Sequence, residues 1–481
     1  MYPESVIKNW RNLFMAYKTI NPFNNEVVKE YDNATKEDIN KTLEIDDKLY
    51  HQFKKQPISE RAAILHKIAD LMRKNEDDLA KTMVLDMGKL IGEAKGEVEL
   101  CALIADYFAD NAENLLKPTP IKSGAGDAWV EKQSTGTIMM VEPWNFPYYQ
   151  IMRVFAPNFM VGNPMILKHA SNTPGSAVAF EKVVNDAGAP EGSLTNLFLS
   201  YDQVSDIIAD DRIQGVALTG SERGGQSVNK VAGENLKKST MELGGTDAFI
   251  VTSDADIDQV MSVAAKARIY NAGQVCTSSK RFIVADNLYN EFVDRLTKKF
   301  AEFKPGDPMD PTTTLAPMSS ARAKDKLTEQ VNEAVKAGAK VQFGNKPIDL
   351  PGQFFMPTIL TDIDSKNPAY SKEMFGPVAQ VYKAASDEEA IDIANDSNYG
   401  LGGIVFSGSK EHGAEVAKQI ETGMVFVNTF MFTLPELPFG GVKKSGFGRE
   451  MSSLGLEAFV NEKLIVAVDK PDLNNLAGGL F

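Results

Sequence analysis

The stretch PMILKHASNTPGSAVAFEKVVNDAGAPEGSLTNLFLS, residues 164–200, contains the pattern that decides the fold. An apolar run at 164–170 is followed by a helical stretch at 174–187 and a second apolar run at 194–200. Strands and helices that alternate in this way form βαβ units, which build a parallel sheet. The alternation continues on both sides, with apolar runs at 137–143, 215–221 and 247–252 and a helical stretch at 202–210. These residues therefore predict an α/β fold.

Polar residues and glycines follow the predicted strands at the places where a parallel sheet binds ligands. Asn145, Lys168, Ser221 and Gly244 each come just after an apolar run. Ligands of such sheets bind at the carboxyl ends of the strands. The four positions are therefore candidates for one site.

Three more regions extend this organisation. Residues 255–430 predict another α/β domain, with apolar runs at 280–285, 339–344, 378–383 and 403–408. Residues 59–116 are predicted to be helical, with Ser59 as the N-cap and Cys101 buried on an apolar face. Residues 118–135 predict a hairpin arm, and 459–470 predict a terminal strand of the kind that pairs with a neighbouring subunit or domain.

The composition restricts the class of protein. The formal charge of −14 argues against nucleic acid and anionic membranes as partners. No run long enough to span a membrane is expected, and the start, MYPESVIKNW, does not resemble a secretory signal. Four histidines and two cysteines predict neither a metal site nor a disulfide framework. We expect a cytoplasmic protein with a metal-free mechanism.

One of the two cysteines, Cys276, lies in YNAGQVCTSSKR, residues 270–281. Its neighbours are small, so backbone amides can approach a reacting carbonyl group. A thiolate is also the strongest nucleophile among the common side chains at neutral pH. A lone cysteine is more often a buried packing residue than a nucleophile, so the choice between the two interpretations depends on the other motifs.

Four further stretches are rich in glycine and proline: VEPWNFP at 141–147, TMELGGTDAFIV at 240–251, SKEMFGPV at 371–378 and PFGGVKKSGFGRE at 438–450. With all five stretches in this order, nearly the whole chain resembles the aldehyde dehydrogenase superfamily, most of all its succinate-semialdehyde-oxidising branch. The resemblance implies a Rossmann-type cofactor domain, a second α/β catalytic domain and a small β arm that joins subunits into homodimers or homotetramers. The expected ranges are 1–117 and 136–243 for the cofactor domain, 244–444 for the catalytic domain, and 118–135 and 456–481 for the arm.

The resemblance assigns the chemistry by position. Cys276 would attack the aldehyde carbon to form a thiohemiacetal, and the Asn145 side-chain amide with the Cys276 backbone amide would stabilise the oxyanion. After hydride transfer, Glu242 would activate the water that hydrolyses the thioester. Each residue also has a purely structural interpretation: Asn145 as a turn residue between prolines, and Glu242 as a solvated charge at a strand end.

The resemblance also implies an NAD or NADP cofactor. Gly220, Ser221 and Gly225 match the strand-to-helix turn that holds the pyrophosphate. Ser171 replaces a glutamate that many NAD-dependent members carry and that would repel a 2′-phosphate, so NADP is expected to be tolerated or preferred, with Lys168 and His169 near the phosphate. The remaining expected cofactor residues are Trp144, Glu373 and Phe375.

The substrate is predicted from Arg153, which matches an arginine that helps bind the distal carboxylate of succinate semialdehyde. Tyr270 replaces a second arginine of some members, and Thr433 is the remaining hydroxyl near the substrate entrance. The predicted reaction is oxidation of an aldehyde, succinate semialdehyde to succinate.

Two alternatives remain open. In a broad-specificity aliphatic or aromatic aldehyde dehydrogenase, Phe430, Phe432, Tyr148 and Tyr149 would line an apolar tunnel, and Arg153 would only form a surface salt bridge. In a different class, the same fold would serve as a catalytically silent binding or structural protein.

Overall fold

The computed structural model describes residues 17–470. The segment MYPESVIKNW and the last part of the predicted arm, 471–481, lie outside the described residues. The helices are α1 Lys36–Phe53, α2 Ile58–Lys74, α3 Glu76–Met87, α4 Ile91–Leu115, α5 Pro147–Val161, α6 Pro174–Asp186, α7 Tyr201–Ala209, α8 Glu222–Glu234, α9 Ile257–Ile269, α10 Asp286–Ala301, α11 Ala321–Lys336, α12 Pro368–Ser371, α13 Asp387–Asn395, α14 Lys410–Ala417 and α15 Ser452–Leu456.

The strands are β1 Tyr17–Ile20, β2 Val27–Tyr31, β3 Thr119–Ile121, β4 Asp127–Ser134, β5 Thr137–Val141, β6 Met165–Lys168, β7 Thr195–Asn196, β8 Ile213–Thr219, β9 Lys238–Glu242, β10 Ala248–Val251, β11 Arg281–Ala285, β12 Lys340–Phe343, β13 Thr358–Thr361, β14 Val378–Ala384, β15 Tyr399–Gly400, β16 Gly402–Phe406, β17 Met424–Val427, β18 Val442–Lys443, β19 Gly446–Phe447 and β20 Val460–Ala467.

The described residues form two large sheets, one of six strands and one of seven. One has the strand order β19-β9-β8-β5-β6-β7 and the other β12-β13-β14-β11-β10-β16-β17. Strands β5 to β9 pair in parallel, as do β10, β11, β13, β14, β16 and β17. The stretch 164–200 forms β6, α6 and β7, so the predicted βαβ unit and the α/β fold are confirmed.

A third sheet has the antiparallel order β20-β4-β3. Strand β20 pairs with β4 along its whole length, from Val460 opposite Ser134 to Ala467 opposite Asp127. The predicted hairpin arm and the predicted terminal strand therefore form one structure, although they are far apart in the chain.

The predicted helical region 59–116 is three helices, α2, α3 and α4. The Ser59 prediction is wrong, because α2 begins at Ile58 with Pro57 at the N-cap, and no side chain caps it. Helix α3 ends at Gly88, whose φ of 78° favours glycine. Cys101 is fully buried in α4, as predicted. Within 17–470, the helices include none that is long and apolar enough to cross a membrane.

Helix α4 positions the first turn of α5, a helix that follows the site residue Asn145 and whose second turn carries Arg153. The Glu97 carboxylate accepts hydrogen bonds from the backbone N–H groups of Tyr148 (2.9 Å) and Tyr149 (3.0 Å) and is paired with Lys89. A buried carboxylate at a helix N-terminus satisfies free amides and interacts favourably with the helix dipole. This contact fixes where α5 begins relative to the first sheet.

Candidate active site

The segment before Cys276 is tightly bent. After α9 the chain forms a short turn in which Asn271, Ala272 and Gly273 have φ values of 53°, 53° and 71°. A Cβ atom on Gly273 would lie 2.6 Å from the Gly376 carbonyl group, so only glycine fits here. This turn places the segment that contains Cys276 against the loop that contains Glu373.

Arg268 holds both loops together, and the sequence analysis missed it. Its guanidinium donates to Gly273 O (3.2 Å), Ser278 Oγ (2.7 Å), Val378 O (2.6 Å), Met374 O (2.7 Å) and Gly376 O. The side chain is fully buried, and burial lowers its pKa to about 9. The available signal was an arginine at an apolar position of the helix just before the cysteine.

Cys276 is half-buried and lies in the wall of a cavity of about 300 Å³. Much of the cavity wall is aromatic, and Arg153, Lys266 and Thr433 also line it. The structure therefore brings three predicted substrate residues, Arg153, Tyr270 and Thr433, to the cysteine, and adds Lys266, which the sequence analysis missed. The aromatic residues are Phe146, Tyr149, Tyr270, Phe430, Phe432 and Phe439.

Tyr148 does not line this cavity, contrary to the tunnel of the alternative interpretation. Its side chain is fully buried and its hydroxyl donates to Leu79 O at 3.2 Å. Adjacent residues of a helix point in different directions, so only Tyr149 of this pair faces the cavity.

Asn145 is buried beside residues 270–281, which contain the predicted nucleophile Cys276 and are called the nucleophile segment below. Its Nδ2 donates to Gln274 O at 3.1 Å, and its own carbonyl accepts from Asn271 Nδ2 at 2.8 Å. Within 17–470, the backbone N–H of Cys276 donates to no backbone acceptor. One N–H of the Asn145 amide is used in this bond, which leaves its second N–H and the Cys276 N–H as the two candidate donors for an oxyanion site.

The thiol of Cys276 is predominantly protonated at neutral pH. Burial raises its pKa to about 12, while Lys280 and Arg153 act in the opposite direction. A neutral thiol is a weaker nucleophile than a thiolate. Attack on an aldehyde therefore requires removal of the proton as the substrate binds.

Glu242 ends β9 and is buried, with no hydrogen-bond donor in 17–470 to either carboxylate oxygen. Burial and the nearby Glu450 carboxylate raise its pKa well above the usual range. A Cβ atom on Gly440 would lie 2.7 Å from Glu242 Oε1, and the adjacent Phe439 lines the cavity. The interpretation of Glu242 as a solvated charge is wrong, and an unpaired buried carboxylate of raised pKa is suited to a general base.

Arg153 is fully buried, so its interpretation as a surface salt bridge is wrong. It is paired with Glu450, donates to Thr219 Oγ1 at 3.0 Å, and lies over the rings of Phe439 (4.4 Å) and Tyr149 (5.0 Å). Burial alone would lower its pKa, but Glu450, Tyr149, Glu242 and Cys276 together outweigh this effect and the pKa is raised. Arg153 is therefore charged where it lines the cavity.

The turn after β8 has the form of an anion site. Ser221 is the N-cap of α8, and its Oγ accepts from Gly224 N at 3.3 Å. A Cβ atom on Gly225 would lie 2.7 Å from Leu243 Cδ2, so glycine permits the close approach of helix and strand. Gly220 N donates to Glu242 O at 2.8 Å, which ties this turn to β9. Free amides at a helix start fit a pyrophosphate.

Lys168 ends β6, and burial lowers its pKa to about 8. Its ammonium lies over the rings of Tyr17 (5.7 Å) and Tyr201 (5.6 Å). His169 is not available to a phosphate, contrary to the expectation. It is fully buried, its Nε2 bonds Pro147 O at 2.9 Å, and burial lowers its pKa to about 4.

Trp144 and Phe375, both predicted to contact the cofactor, meet edge-to-face with ring centroids 5.6 Å apart. Glu373 Oε1 accepts from Gly245 N at 3.1 Å and is paired with Lys280 Nζ at 3.2 Å. A Cβ atom on Gly244 would lie 2.6 Å from Glu373 Oε2, so this glycine leaves room for the carboxylate.

Comparisons with known proteins agree with this geometry. Residues 11–465 match the aldehyde dehydrogenase family. A Deinococcus radiodurans protein named succinate-semialdehyde dehydrogenase [NADP(+)] is 45% identical, over 94% of each chain. A Synechocystis protein with the probable form of that name is 40% identical, over 94% of this chain and 99% of its own.

The solved structures include a succinic semialdehyde dehydrogenase from Streptococcus pyogenes in complex with NADP+. It is 57% identical, with a TM-score of 0.93 over 94% of this chain and 99% of its own. The family match over nearly the whole chain, the relatives of 40% identity and above, and the nucleophile cavity lead to one conclusion: the chain belongs to the aldehyde dehydrogenase family.

Proposed function

We propose that this chain oxidises succinate semialdehyde to succinate with NADP. The observation that carries the proposal is the cavity that both Cys276 and the charged Arg153 line. A nucleophile at one point and a buried cation at another suit an aldehyde that has a carboxylate at its far end. The names of the relatives from Deinococcus radiodurans and Streptococcus pyogenes support the same substrate and cofactor.

The chain's own residues divide the chemistry between them. Cys276 forms the carbon–sulfur bond as its proton passes to solvent, and the Asn145 amide and the Cys276 N–H stabilise the oxyanion. A nicotinamide held by Trp144, Glu373 and Phe375 would supply the acceptor for the hydride. Glu242 then removes a proton from water, whose oxygen adds to the thioester carbonyl. The carboxylic acid leaves, and the proton on Glu242 returns to the thiolate and restores the thiol.

The cofactor residues fit NADP. Ser171 introduces no negative charge, and the buried Lys168 supplies a cation at the end of β6. To test this assignment, Ser171→Glu should raise the KM for NADP at least tenfold, because its carboxylate repels the 2′-phosphate. The KM for NAD should change less than threefold. Equal changes for the two cofactors would contradict the assignment.

A second candidate is a broad-specificity aldehyde dehydrogenase, which the aromatic wall of the cavity and the pairing of Arg153 with Glu450 favour. The two are distinguished by kcat/KM for succinate semialdehyde and for butanal, which lacks only the carboxylate. We expect wild type to prefer the semialdehyde and Arg153→Met to reduce that preference about 10- to 100-fold, the worth of a charged hydrogen bond. The matched control is Arg322→Met on the exposed start of α11.

Each outcome has a clear meaning. Equal efficiency with both aldehydes in wild type would support the broad-specificity candidate. No turnover with any aldehyde would support the binding-protein class. Turnover that survives in Cys276→Ser would show that another group acts as the nucleophile.

We propose further that the chain forms a homodimer or homotetramer through the arm and acts in the cytoplasm. On the arm, Ile121, Leu464 and Val466 are 43%, 59% and 46% exposed, which is unusual for a strand surface without a partner. Both cysteines are free, and a reducing compartment suits a reaction that depends on a thiol. The division into cofactor domain, catalytic domain and arm at 117/118, 135/136, 243/244 and 456 remains part of the proposal, and the three sheets support it.

A further inference from the structure

Lys280 is a buried lysine immediately behind the nucleophile that the chemistry above does not use. It precedes β11, and its side chain is 1% exposed. Its ammonium donates to Val275 O at 2.8 Å and to Cys276 O at 2.5 Å. Burying a charged ammonium is costly unless its hydrogen bonds are satisfied, so the position needs a reason.

The third partner of this ammonium belongs to the cofactor side of the site. Lys280 Nζ lies 3.2 Å from Glu373 Oε1, the same oxygen that accepts from Gly245 N. An ammonium has three donors, and here two serve the nucleophile segment and one serves the Glu373 loop. The ammonium also lies 6.0 Å from the centre of the Phe375 ring, which contacts Trp144.

The packing around this contact leaves little freedom. A Cβ atom on Gly245 would lie 2.8 Å from Cys276 O, so the loop between β9 and β10, the nucleophile segment and the Glu373 loop meet at one point. The Val275 carbonyl also accepts from Ser278 N at 3.2 Å. Within 17–470, the Cys276 carbonyl receives no hydrogen bond from a backbone donor. Lys280 is therefore the main fixed link between the Cys276 carbonyl and Glu373.

We propose that Lys280 is a positioning residue that holds the Cys276 backbone and the Glu373 carboxylate in one geometry, so that the nucleophile keeps a constant position relative to the expected cofactor residue Glu373. The proposal rests on the proposed function in taking Cys276 as the nucleophile. Its second consequence is electrostatic, because the same cation favours the thiolate.

The charges that face the thiol determine the sign of this effect. Lys280 and Arg153 favour the thiolate, whereas burial and the carboxylates of Asp247 and Glu373 favour the neutral thiol. Removing the ammonium should therefore make Cys276 less reactive. Removing the Glu373 charge should make it more reactive.

The test is the rate of Cys276 alkylation by iodoacetamide at fixed pH, with the KM for NADP as the second measurement. Lys280→Met should lower the alkylation rate about three- to tenfold at each pH from 7 to 9, since one pKa unit changes the thiolate fraction tenfold. It should also raise the KM for NADP more than the KM for the aldehyde. Lys280→Arg should restore much of the alkylation rate, and Glu373→Gln should increase it.

The control is Lys383→Met. Lys383 lies on the neighbouring strand β14, and its Nζ is 3.5 Å from Asp286 Oδ1. The alkylation rate of this variant should equal that of wild type. A merely structural lysine would lower the melting temperature of Lys280→Met but leave the alkylation rate within twofold of wild type, and this result would overturn the proposal. If Lys280→Met does not fold, the other two variants decide the question. A Lys280→Arg alkylation rate within threefold of wild type and a Glu373→Gln alkylation rate above wild type would together support the proposal. Any other pair of results would contradict it.

These measurements separate the two claims. Alkylation needs neither aldehyde nor NADP, so its dependence on Lys280 is measurable even in a protein that oxidises no aldehyde. Turnover of wild type tests the proposed function, and the differences between variants test Lys280.

Discussion

The surroundings of the site change the pKa of Cys276 and the pKa of Glu242 in the same direction. Both are removed from water, which favours their neutral forms, and both have a raised pKa. Arg153 opposes the effect at both residues. The site is therefore an environment in which proton transfer between groups of raised pKa is feasible near neutral pH.

Substitution of Glu242 should separate the two halves of the proposed reaction. Glu242→Gln keeps the shape but removes the base, so we expect steady-state turnover to fall about 10²- to 10⁴-fold. A first burst of reduced cofactor should remain, because thioester formation precedes hydrolysis. Stopped-flow absorbance measures both phases, and loss of the burst would instead place Glu242 before hydride transfer.

The raised pKa of Cys276 makes its reactivity dependent on pH. The thiolate fraction grows about tenfold per pH unit below the pKa, so the alkylation rate should still be rising at pH 10. An ordinary cysteine, with a pKa near about 8.5, would level off by about pH 9.5. Mass spectrometry of alkylated peptides measures the rate, with Cys276→Ser as the unlabelled control, and a plateau below pH 9 would contradict the prediction.

Among the elements, the turn after α9 depends most on its neighbours. Asn271 and Ala272 hold left-handed backbone conformations without being glycine, which costs about 1–2 kcal/mol per residue. The five hydrogen bonds of Arg268 restrain this turn against the Glu373 loop. The nucleophile segment is thus held in place by a side chain of the preceding helix.

Arg268→Lys tests this restraint. An ammonium has three donors and cannot match the planar guanidinium, so at least two buried acceptors lose their partner, at about 1–3 kcal/mol each. We expect the free energy of unfolding to fall by about 2–5 kcal/mol, measured by urea denaturation. Arg322→Lys on α11 is the control, and a loss below about 1 kcal/mol would show that the turn is stable without the guanidinium.

For the whole molecule, the antiparallel arm joins two distant parts of the chain. Strand β20 aligns with β4 across eight residue pairs, and its side chains alternate between two faces. Leu464 and Val466 lie on one face and are largely exposed. An apolar strand surface of this kind is an aggregation hazard unless another chain covers it.

Charges on this face should therefore disrupt the oligomer. Wild type is expected to have a molar mass of two or four times the chain mass of 52.7 kDa. Leu464→Lys combined with Val466→Lys should lower the measured mass, because burying unpaired lysines is costly. Size-exclusion chromatography with light scattering measures the mass, Lys463→Glu on the opposite face is the control, and an unchanged mass in the double variant would contradict the role of the arm.

The sequence by itself determined many of the elements and the candidates for the reacting groups. Period-two and period-3.6 apolar patterns are local, so the strands at 165–168, 213–219 and 281–285 followed directly from them. The candidates for nucleophile, base and cofactor turn, Cys276, Glu242 and Gly220 to Gly225, could be named because each lies in a short motif that resembles the family. The Ser59 prediction was wrong because the helix begins one residue earlier, at Ile58, which places Ser59 inside the first turn.

Only the tertiary structure decided which partner each charged side chain has. The pairing of Arg153 with Glu450, the burial of His169 and the contacts of Arg268 and Lys280 join residues that are distant in sequence or hidden in apolar surroundings. The charge of a side chain follows from its residue type. The energy of that charge depends on the dielectric around it and on the neighbours a few ångströms away. Those neighbours are set by how the sheets and loops pack, which no local pattern records.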